Sequence, residues 1–546
     1  MTFFVKQWFY PLAKRNMLLI QQATYIHPNK EILFEDIEFL VQDHEKMALI
    51  GQNGVGKSSL LKIMAGQLSL NKGTCFASSK PYYIPQLHYP ILDETIADVL
   101  GLSPKLNALR AILAGEVDQS YYDMLDDDWN LEERCDQAFQ YWKIPHVKLT
   151  DSFHRLSGGQ RTKVFLAGIQ ILDPEIILMD EPSNHLDQQG RVLLYQFVQQ
   201  TSKSIVLVSH DRNLLNLFPS VAEMSPKGIE RFGGNYEFYE EQRTIQRQAM
   251  DQQLQSGQKE LRKAKDKERE SLERQQKLNA RGKSKQEKSG VARIMMNTLK
   301  NNAENSSAKL KGVHQEKIQG IQQQLQDLRN NTFQLDQMQF DFKSSSLAIG
   351  KVLLEGKDLQ FRVRHVDLWK QPLNFQIKQG SRWQIAGGNG SGKTTLIHLL
   401  LKKLDPSSGT LYSRDFRSLY IDQDYSIIQS NLSIYEMAQS FNDAGLEEHE
   451  VKIRLNRFLF PKDSWSKPCH VLSGGERMRL LLCCMSIAHQ VADLIVLDEP
   501  TNNIDIQNMD ILANALNQFQ GTIILVSHDD YFRNTLEGDW GRIVLG

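Results

Sequence analysis

The chain has 546 residues, enough for several domains that each bury a core, and its 64 Lys+Arg against 65 Asp+Glu leave a formal charge of -1. With 41% hydrophobic residues and a mean hydropathy of -0.42 it reads as a soluble globular protein, and no apolar run approaches the roughly 18 residues of a membrane helix, which weighs against a self-contained transporter. The cysteines Cys75, Cys135, Cys469, Cys483 and Cys484 include no C-x-x-C pair, so neither a disulfide framework nor a zinc site is expected, and a reducing cytoplasm fits.

Residues 1-16 mix aromatics with Lys6, Lys14 and Arg15 and lack the continuous apolar stretch of a secretory signal. They are expected to be a disordered extension or a mis-assigned start ahead of a first domain over 17-235, which opens with a strand at Met17-Leu-Leu-Ile-Gln. Gly51-Gln-Asn53-Gly54-Val-Gly56-Lys57-Ser58-Ser59 fits the phosphate-binding pattern GxxxxGK[ST]. A strand ending before Gly51 and a helix opening after Gly56 would aim backbone N–H groups at phosphates, with Lys57 on the β and γ oxygens and the Ser58 hydroxyl on Mg2+. Gln86 follows, then Leu156-Ser157-Gly158-Gly159-Gln160. The apolar run Ile176 to Met179 predicts a buried parallel strand that delivers Asp180 to the metal. Alternation along an extended chain would turn Glu181 to the other side, facing a water in line with the γ-phosphate. Asn184-His-Leu-Asp187 and Ser209-His210 complete the set, His210 standing after the strand Ile205 to Val208, where it would contact the γ-phosphate.

Residues 236-345 read as an interdomain linker. From Glu241 to Asn330 there are 20 Lys+Arg against 11 Asp+Glu and no Trp, Pro or Tyr, a composition suited to exposed helix. Leu254, Leu261, Leu272 and Leu278, then Ile318, Ile321, Leu325 and Leu328, fall at helical spacing, and the second group has the 3-4-3 rhythm of a coiled-coil seam. This predicts an antiparallel pair, helix one from about Tyr236 to Ala280 and helix two from about Ser306 to Asn330. The connection between them is basic at Arg281, Lys283, Lys285 and Lys288, then mixed at Arg293, Met295, Met296 and Lys300. Such a tip suits RNA: cations track phosphates and the apolar end reaches a folded pocket.

The second domain, 346-546, repeats the first in order: Gly387-Gly-Asn389-Gly390-Ser-Gly392-Lys393-Thr394-Thr395, Gln423, Leu472-Ser473-Gly474-Gly475-Glu476, the run Leu494 to Leu497 ending in Asp498-Glu499, Asn502-Asn-Ile-Asp505, and Ser527-His528. The offset between copies is 336 at the first glycine, 337 at the glutamine, 316 at the Ser-Gly-Gly serine and 318 at Asp-Glu and histidine. About 21 additional residues therefore lie between Gln86 and Ser157. Each role transfers: Lys393 and Thr394 to phosphate and metal, Asp498 to Mg2+, Glu499 to water, His528 to the γ-phosphate, and Gln86 and Gln423 to ordering metal and water.

The Leu-Ser-Gly-Gly pentads after two phosphate loops resemble the ATP-binding cassette superfamily. The tandem arrangement, the tails Glu181-Pro-Ser-Asn-His-Leu-Asp187 and Glu499-Pro-Thr-Asn-Asn-Ile-Asp505, and the long linker resemble its ABC-F branch of ribosome-binding ATPases. That resemblance implies two α/β cassettes, each with mixed sheet and a helical signature subdomain, closing head to tail within one monomer. Lys57 would then share an ATP with Ser473, and Lys393 one with Ser157. It also implies adenine stacking on Tyr25 and Phe361, either of which serves equally as a core residue. The linker would enter the ribosomal tRNA exit site and approach the peptidyl-transferase centre, touching rRNA and tRNA. Room for no more than a short helical arm after Gln86, with no tail expected beyond the second cassette, looks like the antibiotic-resistance members of the branch and equally like housekeeping ones. The alternative is the ATP-binding subunit of a membrane transporter, where a long cationic hairpin between cassettes is not expected.

Overall fold

The computed structural model describes residues 18-28, 30, 32-86, 94-225, 228-288, 312-313, 315-326, 350-489, 492-502 and 504-545. By its contacts the chain divides into two units, one of residues 1-237 and 338-546 that contains both repeats, and one of residues 238-337.

In the first repeat β1 (Leu18–Ile26) pairs antiparallel with β2 (Ile32–Val41) and, on its other edge, with β4 (Lys72–Ala77). A second sheet has the order β5-β6-β7-β3-β8-β9, with β3 at Lys46–Gly51, β5 at Tyr82–Ile84, β6 at Ile176–Asp180, β7 at Ser204–Val208, β8 at Ser220–Ser225 and β9 at Gly228–Gly233. It is parallel except for the β8/β9 hairpin. Every residue of β6 and β7 is buried, as continuous apolar strands covered on both faces must be. Helix α1 (Lys57–Met64) buries Leu60, Leu61, Ile63 and Met64 in a core shared with the antiparallel sheet.

The 21 additional residues become a pair of packed helices, Ser103–Leu113 and Gln119–Leu125, within the helical subdomain that ends in α2 (Gly158–Leu172). Helix α3 (Gln188–Gln200) then leads back to β7.

In the second repeat the antiparallel sheet has the order β13-β10-β15, with β10 at Val352–Gln360, β13 at Leu373–Lys378 and β15 at Ser408–Ser413, and a small hairpin pairs β11 (Arg362–Val363) with β12 (Val366–Asp367). The parallel sheet has the order β16-β17-β18-β14-β19, with β14 at Arg382–Gly387, β16 at Ser418–Ile421, β17 at Leu494–Asp498, β18 at Thr522–Val526 and β19 at Trp540–Leu545. In both repeats the phosphate loop follows one central strand, the histidine follows the strand beside it, and the Asp-Glu pair ends the strand beyond that. All face the carboxyl edge of the sheet, the ligand side of open α/β folds.

Between the repeats, α4 runs from Tyr236 to Lys288, 53 residues or on the order of 80 Å of continuous helix. The sequence places the end of this helix near Ala280, eight residues too early. From Arg281 to Lys288 only Gly282 and Ser284 oppose a helix, and one glycine costs about 1 kcal/mol relative to alanine, too little to stop it. Arg281, Lys283, Lys285 and Lys288 are thus residues of the rod rather than of its connection, and Arg293, Met295, Met296 and Lys300 lie outside the described residues. Residues 312-313 and 315-326 are helical, with Ile318 and Ile321 half-buried and Leu325 buried, while Leu328 of the predicted seam lies outside the described residues. Leu325 fits against Gly257, where an added Cβ would stand 2.8 Å from its Cδ2. Leu278, assigned to the same apolar face by spacing, is 66% exposed.

Candidate functional site: two cavities shared between the repeats

Each cavity begins with a glycine. Gly56 and Gly392 adopt φ of 106° and 89° immediately before α1 and α5 (Lys393–Leu400), a left-handed conformation that glycine tolerates without steric cost. A Cβ at Gly392 would lie 2.5 Å from Leu368, and one at Gly56 2.9 Å from Leu33. No side chain caps either helix, so the first-turn N–H groups are left for a ligand. Lys57 Nζ donates to the Gly51 and Gln52 carbonyls at 2.7 and 2.9 Å, and Lys393 Nζ to those of Gly387 and Gly388 at 2.9 and 3.4 Å. Burial lowers both ammonium pKa values, opposed at Lys57 chiefly by Glu181 and at Lys393 by Glu499.

The first cavity, about 400 Å3, is lined by Asn53, Gly54, Gly56, Lys57, Ser58, Ser59, Gln86, Asp180, Glu181 and His210, and by Ser473 and Gly474 from the second repeat. The second, about 630 Å3, is lined by Asn389, Gly390, Gly392, Lys393, Thr394, Thr395, Gln423, Asp498, Glu499 and His528, and by Ser157, Gly158 and Gly159 from the first. Gly51 and Gly387 serve as strand ends, while Gln160, Gly475 and Glu476 are not among the residues that line these two cavities.

Helix α2 and its counterpart α6 (Gly474–Ile487) open with a capping box, in which Ser157 pairs with Gln160 and Ser473 with Glu476. Ser157 Oγ accepts the Gln160 N–H at 3.3 Å and Ser473 Oγ the Glu476 N–H at 3.4 Å, and Ser473 Oγ in addition donates to the Glu476 carboxylate at 2.8 Å.

Asp180 and Asp498 end their strands beside a hydroxyl: Ser58 hydrogen-bonds Asp180, and Thr394 Oγ1 donates to Asp498 Oδ2 at 3.2 Å. Burial raises both carboxyl pKa values. A tyrosine on the neighbouring strand, Tyr83 or Tyr420, donates to the same carboxylate at 3.2 Å. The glutamates correct the sequence reading. They are not extended: Glu181 and Glu499 have φ of 51° and 50°, left-handed for a residue with a Cβ. Their N–H groups donate to the Val208 and Val526 carbonyls at 2.8 and 2.9 Å, so the turn of the backbone, rather than strand alternation, separates each glutamate from its aspartate.

The N–H of His210 donates to Glu181 Oε2 at 3.3 Å, and that of His528 to Glu499 Oε2 at 3.2 Å. The other oxygen of each glutamate is buried and accepts no hydrogen bond, although the histidine Nε2 stands only 3.4 or 3.5 Å away, because His210 Nε2 pairs with Asn53 Oδ1 at 3.2 Å and His528 Nε2 accepts from Lys393 Nζ at 2.8 Å. Burial holds Glu181 well above the ordinary glutamate range and raises Glu499 to about 7, where Arg191 opposes the shift. Burial, with Lys57, holds the His210 pKa well below its usual value, and burial, with Lys393, lowers that of His528 to about 4, so both imidazoles are neutral at pH 7.

ATP with Mg2+ fits this donor set. Asp180 Oδ1 is a second buried oxygen with no hydrogen bond. Among the described residues no cluster of three or more His, Cys, Asp or Glu could hold a metal unaided. Asp180 with Ser58 and Gln86, or Asp498 with Thr394 and Gln423, would hold magnesium only together with phosphate oxygens and water, its usual habit. The expected base-stacking residues are elsewhere. Tyr25, 9% exposed, packs on Phe34 in the core with ring centroids 5.9 Å apart. Phe361 packs against the second core, and neither lines either of these two cavities. His27 and Leu33 line the first cavity instead, and Leu368 the second.

Contacts that the motifs do not foretell close the joint. Asp505 spends one oxygen capping α7 (Ile506–Gln518), while the other accepts the Asn53 N–H of the opposite repeat at 3.4 Å. On the other side Asn389 Nδ2 donates to the His185 carbonyl at 3.0 Å. Arg212, with its side chain 4% exposed, places one nitrogen 2.9 Å from both Asp510 oxygens and lies over the Tyr531 ring at 3.9 Å. Asp510→Ala should lower the melting temperature through a loss of roughly 1–2 kcal/mol, since a buried guanidinium loses its carboxylate partner; a double-mutant cycle with Arg212→Ala isolates the pair. Tyr83 and Tyr420 had a signal, since each precedes its glutamine by three residues. Arg191 had none, because the matching residue is Met509.

The ABC transporter family profile matches residues 34–184 and 370–502. YdiF of Bacillus subtilis (strain 168) is 29% identical over 541 residues, covering 93% of this chain and 77% of that protein. ABC transporter F family member 5 of Arabidopsis thaliana is 26% identical over 539 residues, covering 92% and 71%. An archaeal ribosome recycling factor, solved in complex with an archaeal ribosomal stalk protein, shares the fold at a TM-score of 0.57 and 18% identity, covering 96% of this chain and 90% of that one. Among the described residues no helix is long and apolar enough to cross a membrane.

Proposed function

The chain belongs to the ABC transporter family, as a tandem-cassette ATPase of the ABC-F type, and we propose that it binds the ribosome when closed on two ATP molecules and leaves after hydrolysis. ATP hydrolysis is its activity. Each ATP is held by the phosphate loop of one cassette and the Ser-Gly-Gly turn of the other, so that the fuel bridges the halves and its loss frees them. Glu181 and Glu499 act as general bases or orient the attacking water through the oxygen that accepts no hydrogen bond. His210 and His528, neutral, donate to the γ-phosphate, and Lys57 and Lys393 leave their loop carbonyls for its oxygens. Magnesium, when bound, neutralises developing charge on the transferred phosphoryl group.

The observation that carries the ribosomal reading is the rod α4. Its last fifteen residues, Arg274 to Lys288, include six basic residues and one acidic, a composition suited to phosphate backbone rather than to a membrane partner. The similarity to a ribosome recycling factor supports the same direction. In this reading the rod enters the tRNA exit site and carries the connection that follows Lys288 towards the peptidyl-transferase centre. The chain then serves as a translation factor or protects the ribosome from antibiotics. Expression in a susceptible host separates the two uses, because resistance requires a raised inhibitory concentration for a peptidyl-transferase or exit-tunnel drug.

Co-sedimentation tests the partner. The Glu181→Gln, Glu499→Gln variant with ATP should pellet with ribosomes at physiological salt and not with membranes. Reversing Arg281, Lys283, Lys285 and Lys288 to glutamate should weaken binding by at least about tenfold and flatten its salt dependence. Ribosome binding that ignores both salt and charge reversal would rule out the cationic rod as the contact.

A further inference from the structure

We propose that Arg191, carried by the first cassette, is a positioning residue of the second ATP site, where it steadies the Glu499 carboxylate from across the joint, and that the first site has no such residue. The proposal rests on the shared-site reading above. Arg191 stands in the first turn of α3 and forms part of the wall of the second cavity, together with Lys393, Glu499 and His528. One of its terminal nitrogens lies 3.3 Å from Asp211 Oδ2, an oxygen that also accepts the Tyr195 hydroxyl at 2.6 Å. Its Nε is buried and makes no hydrogen bond. The Arg191 side chain is 12% exposed. It acts electrostatically on Asp211, Tyr195, Asp529, Glu499 and His528, and Arg533 adds a further cation beside Asp529 and Glu499. Among the charges acting on Glu499 that of Arg191 is the largest, ahead of Lys393 in the same cassette as the glutamate.

The other half of the joint is built differently. The internal repeat matches Arg191 with Met509, Tyr195 with Ala513 and Arg533 with Leu215, and Met509, Ala513 and Leu215 are all buried. Glu181 is therefore held by groups of its own cassette, with Lys57 as the leading opposing cation, whereas Glu499 also feels a cation that arrives only with the partner cassette. Hydrolysis at the second site thereby becomes conditional on a closed joint in a way that hydrolysis at the first is not.

Phosphate release from the full-length chain tests this. In the E181Q background, where turnover reports the second site, R191M should lower kcat about tenfold while KM for ATP stays within about twofold, the pattern of an interaction made in the transition state. R191K should recover part of the loss, because a cation is retained without the planar fork. In the E499Q background M509R should raise kcat, by supplying the first site with what it lacks. Equal losses from R191M in both backgrounds, or a loss confined to KM, would overturn the proposal. If Lys57→Ala binds the same number of ATP molecules whether it is paired with Ser473→Glu or with Ser157→Glu, the shared-site reading itself fails, whatever Arg191 does.

Discussion

Replacing both Glu181 and Glu499 with glutamine should reduce ATP turnover by about a hundredfold or more while leaving ATP binding intact, because a positioned general base contributes on the order of 10²–10⁴. Glutamine keeps the shape and accepts the His210 and His528 N–H groups, so the fold around each oxygen survives. What disappears is the anionic oxygen that accepts no hydrogen bond from the protein. The same geometry fixes a pH dependence. Burial raises Glu499 to about 7, and a carboxyl is neutral below its pKa. The base form is therefore lost as pH falls, and kcat/KM for ATP in the E181Q background should rise between pH 6 and 8, then level. Both results are read by phosphate release beside a binding assay with a fluorescent ATP analogue; a double variant that still turns over near the parent rate would remove the glutamates from the mechanism.

Pairing substitutions across the joint should separate the two sites by stoichiometry. Lys57 and Ser473 face one cavity, Lys393 and Ser157 the other. Lys57→Ala with Ser473→Glu strikes one cavity twice and should leave a protein that binds about one ATP. Lys57→Ala with Ser157→Glu strikes both and should bind almost none, with ATP affinity down on the order of a hundredfold where a lysine is lost and a carboxylate faces phosphate. Each serine change also removes a helix cap worth about 1 kcal/mol, but that cost is common to both pairs and cancels in the comparison. Equal stoichiometry for the two pairs would mean that each cassette binds its nucleotide alone.

The repeat made most of this legible. Six motifs in the same order, at an offset that changes mainly by the roughly 21 residues after Gln86, determine two parallel sheets, two phosphate loops and the residues that face them, and the apolar runs before Asp180 and Asp498 do become fully interior strands. Local spacing carried less where tertiary context decides. Tyr25 has the chemistry of a stacking ring, but its strand faces Phe34 and the core. Alternation implied an extended Glu181, yet the carbonyl of Val208 on the neighbouring strand captures its N–H and forces the turn. The composition around Lys283 and Lys285 suggests a connection, although only Gly282 and Ser284 oppose the helix there. Arg191 and Arg212 act between cassettes, and the repeat itself conceals them, since Met509 and Asp530 occupy the matching positions.

The left-handed backbone at Glu181 and Glu499 sets durability against work. A glycine at either position would sit at ease and the cold, idle molecule would gain robustness, yet it would lose the carboxylate that makes it a motor. Any search for hardier variants that ignores turnover will therefore be drawn towards these two positions, and will return proteins that hold their fuel without burning it.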